Sequence, residues 1–347
     1  MIKRTSYTQA TQLLALIFTT ALFIFALTNN DAAAHGALLA QSKSRITIAS
    51  AVRLREAPSV GAAEVSRLQI GTVVSQLERS AAKEKIGGAE DYWYRISTPD
   101  GKEGWLFGSF TAAFDATNRY EIYKRIADER LKIENLSFTD ATDLARFLAS
   151  AAGEANDANT RAALELARLK ALQRAGVAVP TNLQNQSPYK EWLKANEQGL
   201  AFSEPSGGWL VKSDLFWELQ KKYAALPFAE QIAWEGAMNP LPGECEGDWL
   251  CEMHAWNRTM GVYVSLYPRG AHTEEAMDRL IEILKDASSE IKPGQSAPPP
   301  GEEIDRQILA DTRKAIAEAR AVAAKTASAK RSAALQLLAK LSAHYGR

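Results

Sequence analysis

Two cysteines carry the sharpest chemistry in this sequence. Cys245 and Cys251 stand in Pro242-Gly243-Glu244-Cys245-Glu246-Gly247-Asp248-Trp249-Leu250-Cys251. In an exported protein, one close pair separated by a Gly-containing loop reads as a disulfide. The bond would close a loop of about seven residues, so its stabilisation sits near the low end of about 2–4 kcal/mol. Two other readings stand beside it. With His254, and His272 as a fourth ligand, the pair would make a zinc site. That spacing matches no standard finger, and Glu244, Glu246, Asp248 and Glu252 crowd around it. A Cys–His nucleophile would need a cysteine at a helix start inside a sheet-rich domain, whereas the surroundings of both cysteines read as helical. No Gly-rich phosphate loop, Gly-x-Ser-x-Gly elbow or His-Glu-x-x-His helix occurs. The expectation is a protein with no catalytic residues, no metal and no cofactor.

The second set of candidate residues is aromatic: Tyr92, Trp93, Trp105, Phe107 and Phe110. An aromatic groove suits an extended peptide ligand. Trp93 and Trp105 have an equal claim as core residues of the domain that carries them. That domain reads as short strands within Val52 to Ser59, Ile70 to Val74, Tyr92 to Ile96 and Gly104 to Leu106, with turn residues between them. Trp93 to Leu106 is the best hairpin, because Pro99-Asp100-Gly101 supplies the positive φ that a tight turn requires. Strands this short predict a small closed barrel over about residues 45–116. The stretch Glu78 to Asp91 reads as an unusually long loop.

These residues resemble the bacterial SH3-like (SH3b) domain family over about residues 46–115. Leu54-Arg55-Glu56-Ala57-Pro58-Ser59, Trp93-Tyr94-Arg95-Ile96, Gly104-Trp105-Leu106 and Ser109-Phe110 follow the family's order. The sequence departs from the family pattern at Arg53, where an Asn is common, and in the Glu78–Asp91 stretch. The resemblance implies an SH3-like barrel that binds peptidoglycan stem peptides or a protein segment.

Composition excludes other classes. The chain has 347 residues, 46% hydrophobic and 24% charged, with 41 basic and 41 acidic side chains. Length predicts about two or three domains, and a balanced charge does not suit a nucleic-acid partner. Lys3 and Arg4, an apolar run from Leu13 to Leu27 and Asn29-Asn30-Asp31-Ala32-Ala33-Ala34 describe a secretory signal peptide cleaved after Ala34. The run is shorter than the roughly 20 residues that span a bilayer, so an uncleaved anchor is the weaker alternative. Removing residues 1–34 would take away Lys3, Arg4 and Asp31 and leave 39 basic and 40 acidic residues. The expectation is an exported protein, periplasmic or extracellular, with no stable membrane span.

From Tyr120 onward apolar residues recur at helical spacing. Leu144, Phe147, Leu148 and Ala151 mark one helix behind cap candidates Thr139 and Asp140. A second runs from Asn159 to Ala175 and is closed by Gly176. Ser187-Pro188 opens a third through Trp192. Leu200–Phe202 and Trp209–Val211 flank a turn and read as a small excursion or hairpin between helices. Ser213 then caps a helix with Phe216, Leu219 and Tyr223, and Phe228, Ile232 and Trp234 mark the next. Trp192, Trp209, Trp217, Trp234, Trp249 and Trp256 are expected as core anchors. Tyr263-Val264-Ser265-Leu266-Tyr267-Pro268-Arg269-Gly270-Ala271-His272, within residues 252–287, resembles the helix junction of tetratricopeptide-type repeats, as one α-hairpin rather than an array.

The stretch from Pro293 to Gly301 is rich in Pro, Gly, Ser and Gln and reads as a linker over residues 291–302. Beyond it, residues 303–347 predict an Ala-rich C-terminal helix whose thin apolar stripe has a weak middle and packs loosely. The fold class is therefore multidomain: a small all-β SH3-like barrel, a mostly α-helical domain over 117–290 with α-hairpins, and a C-terminal helix. The function this suggests is binding or scaffolding in the cell envelope, with peptidoglycan or an envelope protein as partner. The rival readings are a wall hydrolase or its regulator, and a purely structural protein that pairs through residues 303–347. The oligomeric state has no signature in the sequence.

Overall fold

The computed structural model describes residues 43–291 and 303–346. The expected signal peptide and nearly all of the expected linker lie outside the described residues. Two compact units emerge. One holds residues 43–47, 52–68 and 72–115, and the other holds 48–51, 69–71 and the described chain from Ala116.

The first unit is an antiparallel sheet of seven strands: β1 (Ser44–Thr47), β2 (Val52–Arg55), β3 (Glu64–Leu68), β4 (Val73–Ile86), β5 (Ala89–Ser97), β6 (Glu103–Phe107) and β7 (Thr111–Phe114). Their order is β3-β2-β6-β5-β4-β1-β7, and no pairing among the described residues joins β3 to β7. The expected barrel is thus a curled half-barrel. Period-2 alternation sets its faces: on β2, Val52 and Leu54 are buried while Arg53 is exposed. Ile46, Leu54, Val74, Ile96 and Leu106 are buried in this unit. Pro99-Asp100-Gly101 turns β5 into β6, with the Gly101 N–H donating to the Thr98 carbonyl at 2.9 Å.

Glu78 to Asp91 is not a loop. It is the outer half of the β4–β5 ribbon, paired from Glu78↔Arg95 to Ile86↔Ala89. Gly87 and Gly88 turn the ribbon with φ of 57° and 89°. Positive φ at both central residues is the requirement of a two-residue hairpin turn. The polar composition of the ribbon hides it from a hydrophobicity reading, because both of its faces meet solvent.

The second unit is helical. Its helices are α1 (Arg119–Leu131), α2 (Phe138–Glu154), α3 (Ala158–Val177), α4 (Tyr189–Asn196), α5 (Ser213–Lys222), α6 (Ala229–Met238), α7 (Trp249–Arg258), α8 (Met260–Leu266), α9 (Thr273–Ser289), α10 (Glu303–Lys325) and α11 (Arg331–Tyr345). A small hairpin, β8 (Leu200–Ser203) with β9 (Gly208–Val211), lies between α4 and α5. The N-cap of α2 is Ser137, whose hydroxyl accepts from the Asp140 N–H at 3.1 Å, rather than Thr139 or Asp140. Asp157 caps α3, accepting from the Thr160 N–H at 2.8 Å. Gly176 does not end α3, which runs on to Val177. A Cβ there would strike the Trp209 carbonyl, so the glycine lets β9 approach the helix. Ser213 is the first residue of α5, and its hydroxyl accepts from the Asn239 amide at 3.1 Å. Among the expected anchors, Trp249 and Trp256 are buried, whereas Trp192, Trp217 and Trp234 are half-buried against the core.

The C-terminal segment differs most from its expectation. It is two helices, and they pack closely. Ala315, Ala319 and Ala323 of α10 and Ala334, Leu338 and Leu341 of α11 join Trp256, Met277 and Leu280 in one buried cluster. The weak middle of the apolar stripe is an alanine seam at i, i+4 and i+8, where small side chains let helices approach. The break between α10 and α11 is held from elsewhere in the chain. The Ala327 N–H donates to the Pro268 carbonyl at 3.0 Å, and the Glu274 carboxylate accepts from the Ser328 hydroxyl at 2.9 Å and from the Ala329 N–H at 3.0 Å.

Candidate functional site

The aromatic candidates divide by burial. Trp93 and Phe107 face each other across β5 and β6, and both are buried, at 2% and 3% exposure. Their rings meet edge to face at 5.5 Å. The ribbon supplies the lid. Glu84 of β4 accepts from the Trp93 indole N–H at 2.8 Å, and the Ser80 hydroxyl accepts from the Trp93 backbone N–H at 3.0 Å. An indole whose donor is satisfied inside the unit is a packing residue. Phe107 passes the contact outward to Phe110, at 6.1 Å, and Phe110 is 45% exposed.

Trp105 keeps a surface. It is half-buried on β6, two residues from Phe107 and therefore on the same face. In register it stands between Arg55 of β2 and Arg95 of β5. The Arg55 guanidinium donates to the Ala62 carbonyl at 2.7 Å, and Arg95 pairs with Glu103 at 2.8 Å. Both arginines are thus held in place beside the indole. A flat aromatic between anchored cations can stack on peptide groups or donate its indole N–H while the guanidinium edges meet carbonyls or carboxylates.

Tyr92 lies apart from this face, on the alternate side of β5. Its ring carries the Arg79 guanidinium at 4.3 Å and the Lys83 ammonium at 5.5 Å. Two residues along, Tyr94 carries Arg45 at 3.7 Å. The structure therefore brings together Trp93, Phe107 and Phe110 as one aromatic chain, leaves Trp105 beside it, and places Tyr92 in a different, cationic setting. Tyr94 and Arg45 were missed by sequence reading. Arg45 precedes the recognisable motif, and nothing local signals that its partner lies 49 positions away.

In the helical unit, Cys245 and Cys251 are joined in a disulfide, with an S–S distance of 2.05 Å. Neither sulfur is then a thiolate ligand for a metal. Cys251 lies in the first turn of α7, whose N-cap Asp248 accepts from the Leu250 and Cys251 N–H groups at 2.7 and 3.1 Å. The bond staples the preceding loop to that turn. His272 lies flat on Trp234, centroids 4.2 Å apart, and its Nδ1 is 3.1 Å from Glu275. Tyr263 donates to Glu230 at 2.8 Å, and Glu230 also accepts from the Ala271 N–H at 2.6 Å. Burial pushes the Tyr263 hydroxyl well above its ordinary pKa, so the phenol keeps its proton and donates it to Glu230 as a structural tie. The helical unit also has an open cavity of about 620 Å3. Leu169, Leu172 and Leu200 form its floor, and its rim carries the Glu165–Lys222 ion pair at 2.8 Å. Its rim pair is already closed on itself.

Residues 50–112 match the family model of the bacterial SH3 domain. No curated protein and no solved structure matches the chain. The matched span starts just before β2 and ends inside β7, so it takes in the Trp105 face. A domain of this family points to a role in binding cell wall or protein. Together with the disulfide it fits an extracytoplasmic protein. Among the described residues no helix is long and apolar enough to cross a membrane.

Proposed function

We propose that this is a non-catalytic binding protein of the cell envelope, exported by its N-terminal segment. Its sheet unit holds an extended peptide, from a peptidoglycan stem or a protein segment, across Trp105. The observation that carries this reading is the half-exposed Trp105 indole set between Arg55 and Arg95. Aromatic and arginine side chains at the centre of a surface are the usual carriers of binding energy. Trp93 and Phe107 pack beside Trp105 on the same face.

Co-sedimentation with purified peptidoglycan tests the proposal. The parent should pellet with the wall, and a Trp105→Ala variant with unchanged circular dichroism should bind about thirtyfold more weakly, the loss of one interface hot spot. Equal pelleting of the folded variant would overturn the role of Trp105. Failure of the parent to pellet would exclude peptidoglycan and leave the protein segment as ligand.

A further inference from the structure

We infer that the sheet unit has a second subsite, a cationic cleft across β1, β4 and β5 that takes the free carboxylate of a peptide. The inference rests on the reading of this unit as a peptide binder. The cleft measures about 400 Å3 and is lined by Lys43, Arg45, Gln76, Arg79 and Tyr94. Among the described residues that line it, three are cations and none is a carboxylate.

Strand geometry explains why these residues converge. Lys43 immediately precedes β1, two positions from Arg45, and both line the cleft. Gln76 on β4 binds back to the Lys43 carbonyl at 2.8 Å through its N–H and stands opposite Ile96 on β5. Arg79 stands opposite Tyr94. Ile96 and Tyr94 share a face, so Gln76 and Arg79 do too, although three positions separate them. The register shift between Gln76 and Glu78 makes this so. It inserts Leu77, 48% exposed, and an inserted residue reverses the parity of everything beyond it.

The arginines are prepared for an anion. Each guanidinium lies on a tyrosine ring, Arg45 on Tyr94 at 3.7 Å and Arg79 on Tyr92 at 4.3 Å. Stacking occupies the planar face and leaves the N–H edges to donate. Arg45 donates its Nε–H to the Thr111 hydroxyl at 2.7 Å and is also hydrogen-bonded to Tyr94, which fixes the side chain. Among the described residues, no carboxylate lies within ion-pair distance of Lys43, Arg45 or Arg79. Asp91 acts on Arg45 electrostatically, and its carboxylate accepts from the Tyr92 N–H at 2.7 Å. Burial lowers the Arg45 pKa, opposed by Tyr94 and Asp91. A partly desolvated cation with no carboxylate in ion-pair contact binds an added carboxylate more favourably than a solvated one does. The fork geometry of two guanidinium edges suits a planar carboxylate, and the Lys43 ammonium adds a third charge.

Calorimetric titration of the full chain tests this with three probes: an acetylated Ala-Ala dipeptide with a free carboxylate, the same dipeptide as its C-terminal amide, and inorganic phosphate. The acid should bind, with the amide about tenfold weaker or more, and Lys43→Gln and Arg79→Gln should each weaken the acid by about three- to tenfold. Both side chains are exposed, so both variants should keep the parent's circular dichroism. The inference is overturned if the acid does not bind, if acid and amide bind alike, if the two variants bind like the parent, or if phosphate binds as tightly as the acid. The two readings separate cleanly. Wall pelleting that depends on Trp105 while the dipeptide fails removes the cleft and keeps the Trp105 face. A dipeptide that binds while Trp105→Ala pellets like the parent does the reverse.

Discussion

Both units carry ion pairs, Arg95 with Glu103 at 2.8 Å in the sheet unit among them, but the cations of the β1–β4–β5 cleft are held differently from those of the helical unit. In the helical unit, cations meet carboxylates across elements: Lys170 with Glu235 at 2.6 Å, Lys222 with Glu165 at 2.8 Å, Arg279 with Glu252 at 3.1 Å, and Lys330 with Asp278. Its carboxylates also serve the backbone, as Glu274 does at the α10–α11 break and Glu230 at Ala271. In the sheet unit, Arg45 and Arg79 lie instead on tyrosine rings. The difference separates a framework from a surface. Charges closed on one another hold elements in register, whereas charges resting on aromatic rings keep donors for a ligand.

Core substitutions should break the helical side of this comparison most severely. Leu338→Ala is expected to destabilise the unit by about 2–5 kcal/mol, as for other buried leucines, read by urea denaturation. A result near zero would restore the loosely packed C-terminal helix that its thin apolar stripe suggests. Glu274→Ala removes the acceptor for Ser328 and Ala329, and about 1 kcal/mol of stability should go with it. A pH series sharpens the same point. Hydrogen bonding, chiefly with Thr160, holds the Asp157 carboxyl below its ordinary value. A depressed pKa means that this stabilisation is present above the unfolded value of about 3.9 and is lost as pH falls through the folded one. Asp157→Asn should flatten that part of the acid-unfolding curve. The smallest effect belongs to the sheet unit. Arg79→Gln should change stability by no more than about 0.5 kcal/mol while it weakens carboxylate binding. A large loss of stability there would make Arg79 a structural residue and erase the contrast.

Much of the architecture was legible because its signals are local. The Pro99-Asp100-Gly101 turn, the alternation on β2, the helical spacing of Leu144 and Leu148, and the β8–β9 hairpin each depend on residues a few positions apart. The aromatic site was legible only in part. Trp93, Phe107 and Phe110 do form one chain, but which of them meets solvent depends on the ribbon that folds Glu84 and Ser80 over Trp93. Gly87-Gly88 was the available signal for that ribbon, and a polar strand pair without a buried face gave it no hydrophobic support.

The sequence alone determined the strand and helix periods, the main turns, the cysteine pair and the class of the matched domain. Tertiary structure decided what those elements present. A single inserted residue at Leu77 turns Arg79 onto the face of Tyr94, and Glu274 and the Pro268 carbonyl split what reads as one helix into α10 and α11. Alanines with little hydrophobic contrast become core because a partner helix closes on them. In each case the deciding partner lies far along the chain, and parity, capping and burial are properties of the pair rather than of either segment.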